Sequence, residues 1–91
     1  MKLVETKKRE KGLKNLFSKP TIFKSNYQSG VIKSSEYNII SGDLTLTFKS
    51  GRKYLYKNVT YYNYTMFDMD KSQGQSFNLF IKKNYPHIKL A

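Results

Sequence analysis

The stretch LTLTFKSGRKYLYKNV, residues 44–59, decides the fold. Leu44, Leu46 and Phe48 alternate with Thr45 and Thr47, the two-residue period of a half-buried strand. A second run, RKYLYKNV (52–59), follows Lys49-Ser50-Gly51 and carries Tyr54 and Tyr56 among cations. These tyrosines are either a platform for nucleic-acid bases or half of a small core, and register separates the two. A two-residue loop at Ser50-Gly51 puts Phe48 opposite Lys53 and Leu44 opposite Lys57, which splits the apolar set. A three-residue loop, a type I turn closed by a left-handed Gly51, puts Leu46 opposite Tyr54 and Leu44 opposite Tyr56. The other face then pairs Thr47 with Lys53, Thr45 with Leu55 and Asp43 with Lys57. Only this register gives one apolar and one polar face, because a one-residue slip sends every side chain to the opposite side. The reading is a hairpin with Tyr54 and Tyr56 mainly in the core and the neighbouring cations pointing elsewhere.

Upstream, VIKSSEY (31–37) has a β-branched start and reads as a short strand, with a turn at Ser41-Gly42. TIFKSNYQSG (21–30) is ambiguous, an extended segment in which Ile22, Phe23 and Tyr27 cover the core. Downstream, Thr60 is an acceptable cap for a helix holding Tyr64 and Phe67 at i,i+3, with Tyr61 and Tyr62 in its first turn and partly exposed. Ser72 caps a second helix starting near Gly74. Phe77, Phe80, Ile81 and Tyr85 follow its apolar stripe, and Asn78, Lys82 and Lys83 lie away from it. Pro86 ends it. The expected fold is α+β: a small antiparallel β-meander of about three strands packed by two C-terminal helices.

The 91 residues suffice for one small domain, expected over 21–91 after a basic N-terminal arm, 1–20. The arm carries Lys2, Lys7, Lys8, Arg9, Lys11, Lys14 and Lys19 against Glu5 and Glu10. It reads as a solvated segment in which Leu13, Leu16 and Phe17 allow at most a short helix before Pro20. There is no cysteine, so neither a disulfide framework nor a thiolate metal site, which suits a reducing cytosol and a cytoplasmic protein. The start has no apolar run of a signal peptide, and no segment approaches a membrane span.

The balance of 17 Lys+Arg against 6 Asp+Glu, a formal net charge of +11, favours a polyanionic partner. Of these cations 15 are Lys and 2 are Arg. Compositional bias accounts for that preference better than for the shortage of acids.

The hairpin and second helix show a pattern that resembles the KTSC domain family, from about Val31 to Tyr85. The matching elements are Ile32-x-Ser34-x-x-Tyr37, then Leu44-x-Leu46-x-Phe48-x-x-Gly51-x-x-Tyr54-x-Tyr56-x-x-Val59, then Tyr64, Ser72-x-Gly74-x-x-Phe77-Asn78, Ile81 and Tyr85. Thr60 stands where Pro is usual, and Asp70 where a small apolar residue is usual. The family is named for the C-terminal extension of some lysyl-tRNA synthetases and also occurs as standalone bacterial and phage proteins. The resemblance implies a small α+β module for which RNA binding has been suggested. It does not extend to the basic arm.

Enzyme chemistry is not expected. His87 is the single histidine and lies outside any metal-ligand spacing. Asp68 and Asp70, two apart on a helix, do not share a face. Ser34-Ser35 has no activating partner nearby, and KSGRK lacks phosphate-loop spacing. Ser72-Gln73-Gly74 reads either as a phosphate-binding helix start or, more simply, as a cap.

A nucleic-acid or polyanion surface is best assembled from Lys49, Arg52, Lys53 and Lys57 of the hairpin with Lys82 and Lys83 of the second helix. Tyr61 and Tyr62 are its stacking candidates. No recognition helix is evident, so contact with RNA or single-stranded DNA would be led by phosphates, with weak sequence preference. The alternative is a protein-interaction module docking on an acidic surface of a larger machine. No cofactor, metal or membrane partner is expected.

Overall fold

A computed structural model describes residues 21–91. The arm and its possible short helix lie outside the described residues. The described residues form a five-stranded antiparallel meander in sequence order, β1 (Ile22–Asn26), β2 (Ile32–Asn38), β3 (Leu44–Phe48), β4 (Lys53–Tyr56) and β5 (His87–Lys89). Helix α1 (Tyr61–Met69) and helix α2 (Gln73–Ser76) sit between β4 and β5, and α2 runs directly into a π-helical stretch, Phe77–Lys82. The α+β class is as expected, and the sheet has two more strands than expected. The segment with Ile22, Phe23 and Tyr27 does not merely cover the core: it pairs with β2, Phe23 opposite Tyr37 and Ser25 opposite Ser35. After Pro86 the chain pairs with β4, His87 opposite Tyr56 and Lys89 opposite Tyr54.

The β3–β4 register is the one that sorts apolar from polar side chains: Leu44 opposite Tyr56, Thr45 opposite Leu55, Leu46 opposite Tyr54 and Thr47 opposite Lys53. Gly51, at φ +94°, closes the three-residue turn, and its N–H donates to the Phe48 carbonyl at 2.9 Å. An L side chain rarely adopts that backbone conformation. Tyr56 is buried, whereas Tyr54 is half-buried, packed against the core from the rim.

In β2 strict alternation fails. Ile32, Ser35 and Tyr37 are all buried, and the register shifts between Ile32 and Ser34. A bulge there adds one unpaired residue, which keeps Ile32 on the same side as Ser35 and Tyr37.

Both helices cover one face of the sheet. Thr60 caps α1, its hydroxyl accepting from Asn63 N–H, and Tyr64 and Phe67 enter the core. The Tyr37 and Tyr64 rings stack with centroids 4.2 Å apart and planes 9° from parallel. Aromatic contacts of this kind contribute about 0.5–1.5 kcal/mol beyond the area they bury. The Tyr37 hydroxyl donates to the Val59 carbonyl at 2.6 Å, which ties the chain leaving β4 to the middle of the sheet. The Ser72 hydroxyl accepts from Gln75 N–H, and Gln73 donates its amide to the Asp70 carbonyl at 2.6 Å. The Ser72-Gln73-Gly74 turn is therefore a helix cap. Phe77 and Ile81 close the core beneath β3 and β4.

Candidate nucleic-acid interface

Between β4, β5 and the π-helical stretch lies a cleft of about 320 Å³ lined by Phe48, Ser50, Arg52, Tyr54, Tyr56, Phe77, Lys82 and His87. Each wall has a local cause. Phe48, Tyr54 and Tyr56 come from the core-facing positions of the hairpin. Arg52 precedes β4 at the hairpin tip, on the Tyr54 side of the alternation. His87 arrives on β5 opposite Tyr56, its ring 4.9 Å from Tyr54 and 5.9 Å from Tyr56. Phe77 meets Phe48 edge-on at 5.4 Å and Tyr56 at 5.9 Å.

Lys82 is where the structure corrects the helical reading. In an α-helix, five residues turn about 140° past a full revolution, so Lys82 would point well away from Phe77. The π-helical stretch has wider turns, which bond residue i to i+5. Residue 82 is thereby brought round towards the Phe77 side, and Lys82 lines the same cleft. π-bulges are frequent at functional sites.

Among the described residues, the cleft's lining is aromatic and cationic and includes no carboxylate. The two other clefts described differ. One, on the face that neither α1 nor α2 covers, sets Glu36 beside Lys24 and Lys53. The other, between β1 and α1, holds Asp68 with Lys24. Desolvation by burial, with Tyr54 beside it, pushes the Tyr56 phenol up to about 12.

The structure gathers only part of the expected surface. Arg52 and Lys82 share the cleft. Lys49 is exposed at the hairpin tip, and Lys83 is exposed just after the π-helical stretch. Lys53 belongs to the uncovered face, and Lys57 follows β4 at the end of the sheet away from the tip. Tyr61 and Tyr62 are exposed, at 53% and 64%, at the start of α1. Tyr61 lies 6.5 Å from Phe23 of β1, across the sheet from the cleft. Sequence reasoning assigned Phe48, Tyr54, Tyr56 and Phe77 to the core and His87 to the surface, and so missed them as cleft residues. The signal was the alternation of His87 and Lys89 with Ile88 and Leu90, which marks a fifth strand too short to stand out.

Among the described residues no group of three His, Cys, Asp or Glu is placed to hold a metal ion, and no helix is long and apolar enough to cross a membrane.

A family model described as the KTSC domain matches residues 28–85. No curated protein matches the chain. Among solved structures, the chain is similar to the crystal structure of a KTSC domain protein from Yersinia pestis. The two are 23% identical, the match covers 77% of this chain and 99% of that one, and the TM-score is 0.71. At that identity the likeness is one of fold.

Proposed function

Since the chain belongs to the KTSC domain family, we propose that it is a small non-enzymatic binding module that contacts RNA or single-stranded DNA, in the cytoplasm, through a basic face with weak sequence preference. The observation that carries this reading is the cleft, which sets the half-buried rings of Phe48 and Tyr54, over the buried Tyr56 and Phe77, between Arg52 and Lys82, with no acid among the described residues that line it. Single-strand binders combine aromatic rings, on which any base can stack, with cations that track the backbone. A net charge of +11 adds long-range attraction for a polyanion. Lys49 and Lys83, exposed near the two ends of the cleft, extend its basic rim. Nothing in the lining spells a base-specific donor and acceptor set, which fits weak preference. His87 has tyrosine rings as neighbours rather than a carboxylate to orient it, so the lining lacks the paired groups of acid–base catalysis.

The test is a titration of labelled single-stranded RNA, single-stranded DNA and duplex at ~100 mM salt. Single strands are expected to bind within the ~1–100 μM range of non-specific affinity, ahead of duplex. If none binds at ~100 μM protein, the reading is wrong, and the same cations serve an acidic protein surface instead.

A further inference from the structure

The cleft has two distinct ends. Arg52 and Ser50 stand at the hairpin tip. His87 pairs with Tyr56 at the opposite end of β4. Four strand steps separate residue 52 from residue 56, about 14 Å along the sheet. The second helix runs the same way. Gly74 lies against Val31, whose carbonyl accepts from Lys49 at the tip. Tyr85, beyond the π-helical stretch, has its hydroxyl on Thr60 N–H past the far end of β4. Lys82, near the C-terminal end of this helix, therefore belongs to the His87 end. One cation stands at each end of an aromatic floor.

The cleft is also small. Small-molecule sites span about 300–1,000 Å³, and about 320 Å³ is at the bottom of that range. It is the size of a site for one small ligand.

We propose that the cleft takes one unpaired nucleotide together with the two phosphates that flank it, one at Arg52 and the other at Lys82 and His87. Its minimal ligand is then a nucleoside 3′,5′-bisphosphate. The inference rests on the single-strand reading above and adds the unit that is held and the division of labour between the two ends. The base lies against the rings, as bases do on aromatic platforms. Arg52 offers a bidentate fork to one phosphate, and Lys82 a point charge to the other.

Competition against a labelled single strand tests this at ~50 mM salt, with uridine, uridine 5′-monophosphate, uridine 3′-monophosphate and uridine 3′,5′-bisphosphate as probes. The bisphosphate is expected to compete best and the nucleoside worst, with about a tenfold step for each phosphate, the size of one charge-assisted contact. Arg52→Gln should weaken one monophosphate isomer by about tenfold and spare the other, and Lys82→Gln should do the reverse. His87→Gln should follow Lys82→Gln. All three side chains are exposed, and unchanged melting temperatures would show that the variants fold. If both variants weaken the same isomer, or the bisphosphate competes no better than either monophosphate, the two-ended site is wrong while strand binding stands. If the labelled strand itself does not bind, the single-strand reading falls and this inference with it.

Discussion

The Tyr27 hydroxyl donates a 2.5 Å hydrogen bond to Oδ1 of Asp68 and lies 2.7 Å from the Ser35 hydroxyl. The end of β1, the middle of β2 and helix α1 therefore meet at one polar point beneath the sheet. The Tyr27 ring packs edge-on against Phe67 at 5.5 Å. Burial comes first and the bond to Asp68 second in holding the Tyr27 phenol well above its usual range. Hydrogen bonds to charged groups contribute about 1.5–3 kcal/mol. Tyr27→Phe should lower stability by about that amount, Asp68→Asn, whose amide oxygen still accepts, by less, and the double variant by less than their sum. Urea unfolding of the four proteins measures the coupling. Strict additivity would show that the bond contributes nothing.

High pH should destabilise the protein through its buried phenols. Tyr56 is pushed up to about 12, first by burial, and burial also raises Tyr37 and Tyr64. An unfolded tyrosine ionises near 10. Between about 10 and 12 the unfolded state has lost protons that the native state keeps, so stability falls as pH rises. Below pH 10 this contribution is fully present. Tyr85 runs the other way: burial pushes its phenol up, but hydrogen bonds from Thr60 and Asn63 outweigh that and leave it lowered. Tyr56→Phe removes one raised phenol at little steric cost. The fall in stability above pH 10 should then be shallower by up to about 1.4 kcal/mol per pH unit. Denaturant titrations at several alkaline pH values would show it, and an unchanged slope would contradict the raised Tyr56.

Two glycines with positive φ should respond differently to alanine. Gly42 has φ +79°, and a Cβ there would lie 3.2 Å from Asn58 Cα and 3.3 Å from the Val59 backbone. Val59 N–H donates to the Gly42 carbonyl at 2.9 Å, so the crowding atoms are themselves held in place. Gly51 has φ +94° with open space around it. Gly51→Ala should cost about 1–2 kcal/mol of left-handed strain, and Gly42→Ala clearly more. Equal losses in melting temperature would mean that the β2–β3 turn yields more easily than its contacts suggest.

The core register sets a third contrast. Leu46 is fully buried opposite the half-buried Tyr54, and Thr47 is opposite Lys53 on the uncovered face. Leu46→Ala should cost about 2–5 kcal/mol. Tyr54→Ala should cost less than Leu46→Ala, and Thr47→Ala least. A Thr47→Ala loss as large as that of Leu46→Ala would reverse the faces of the sheet.

The hairpin was legible because Leu44, Leu46 and Phe48 alternate without error and only one loop length keeps them opposite apolar partners. Both helix caps were legible because Thr60 and Ser72 precede the helical runs as capping residues do. The outer strands were not. Phe23 and Ser25 of β1 and Tyr27 just after it alternate inward, and the serine breaks the apolar signal. β5 is three residues long, and its inward residues are His87 and Lys89. The bulge in β2 hid the shared inward side of Ile32 and Tyr37. The cleft was harder still to read. It depends on β5 and on a π-helical turn that carries Lys82 towards the Phe77 side, and a 3.6-residue period cannot express that turn.

Salt dependence should separate the cleft from the other candidate cations. On a single strand each neutralised phosphate contributes about 0.7 to the slope of log affinity against log salt. If the strand lies in the cleft, Arg52→Gln combined with Lys82→Gln should flatten that slope by about 1.4. Lys53→Gln combined with Lys57→Gln should change it far less, because Lys53 belongs to the uncovered face and Lys57 is not among the residues that line the cleft. Tyr62→Ala should leave affinity unchanged, since Tyr62 is not among the residues that line the cleft. Binding isotherms from ~50 to ~200 mM salt measure all three. A base stacked on Tyr62 would instead make Tyr62→Ala cost about 1–3 kcal/mol. In that outcome the strand crosses the start of α1, and the cations to pursue are Lys24 and Lys57 rather than Arg52 and Lys82.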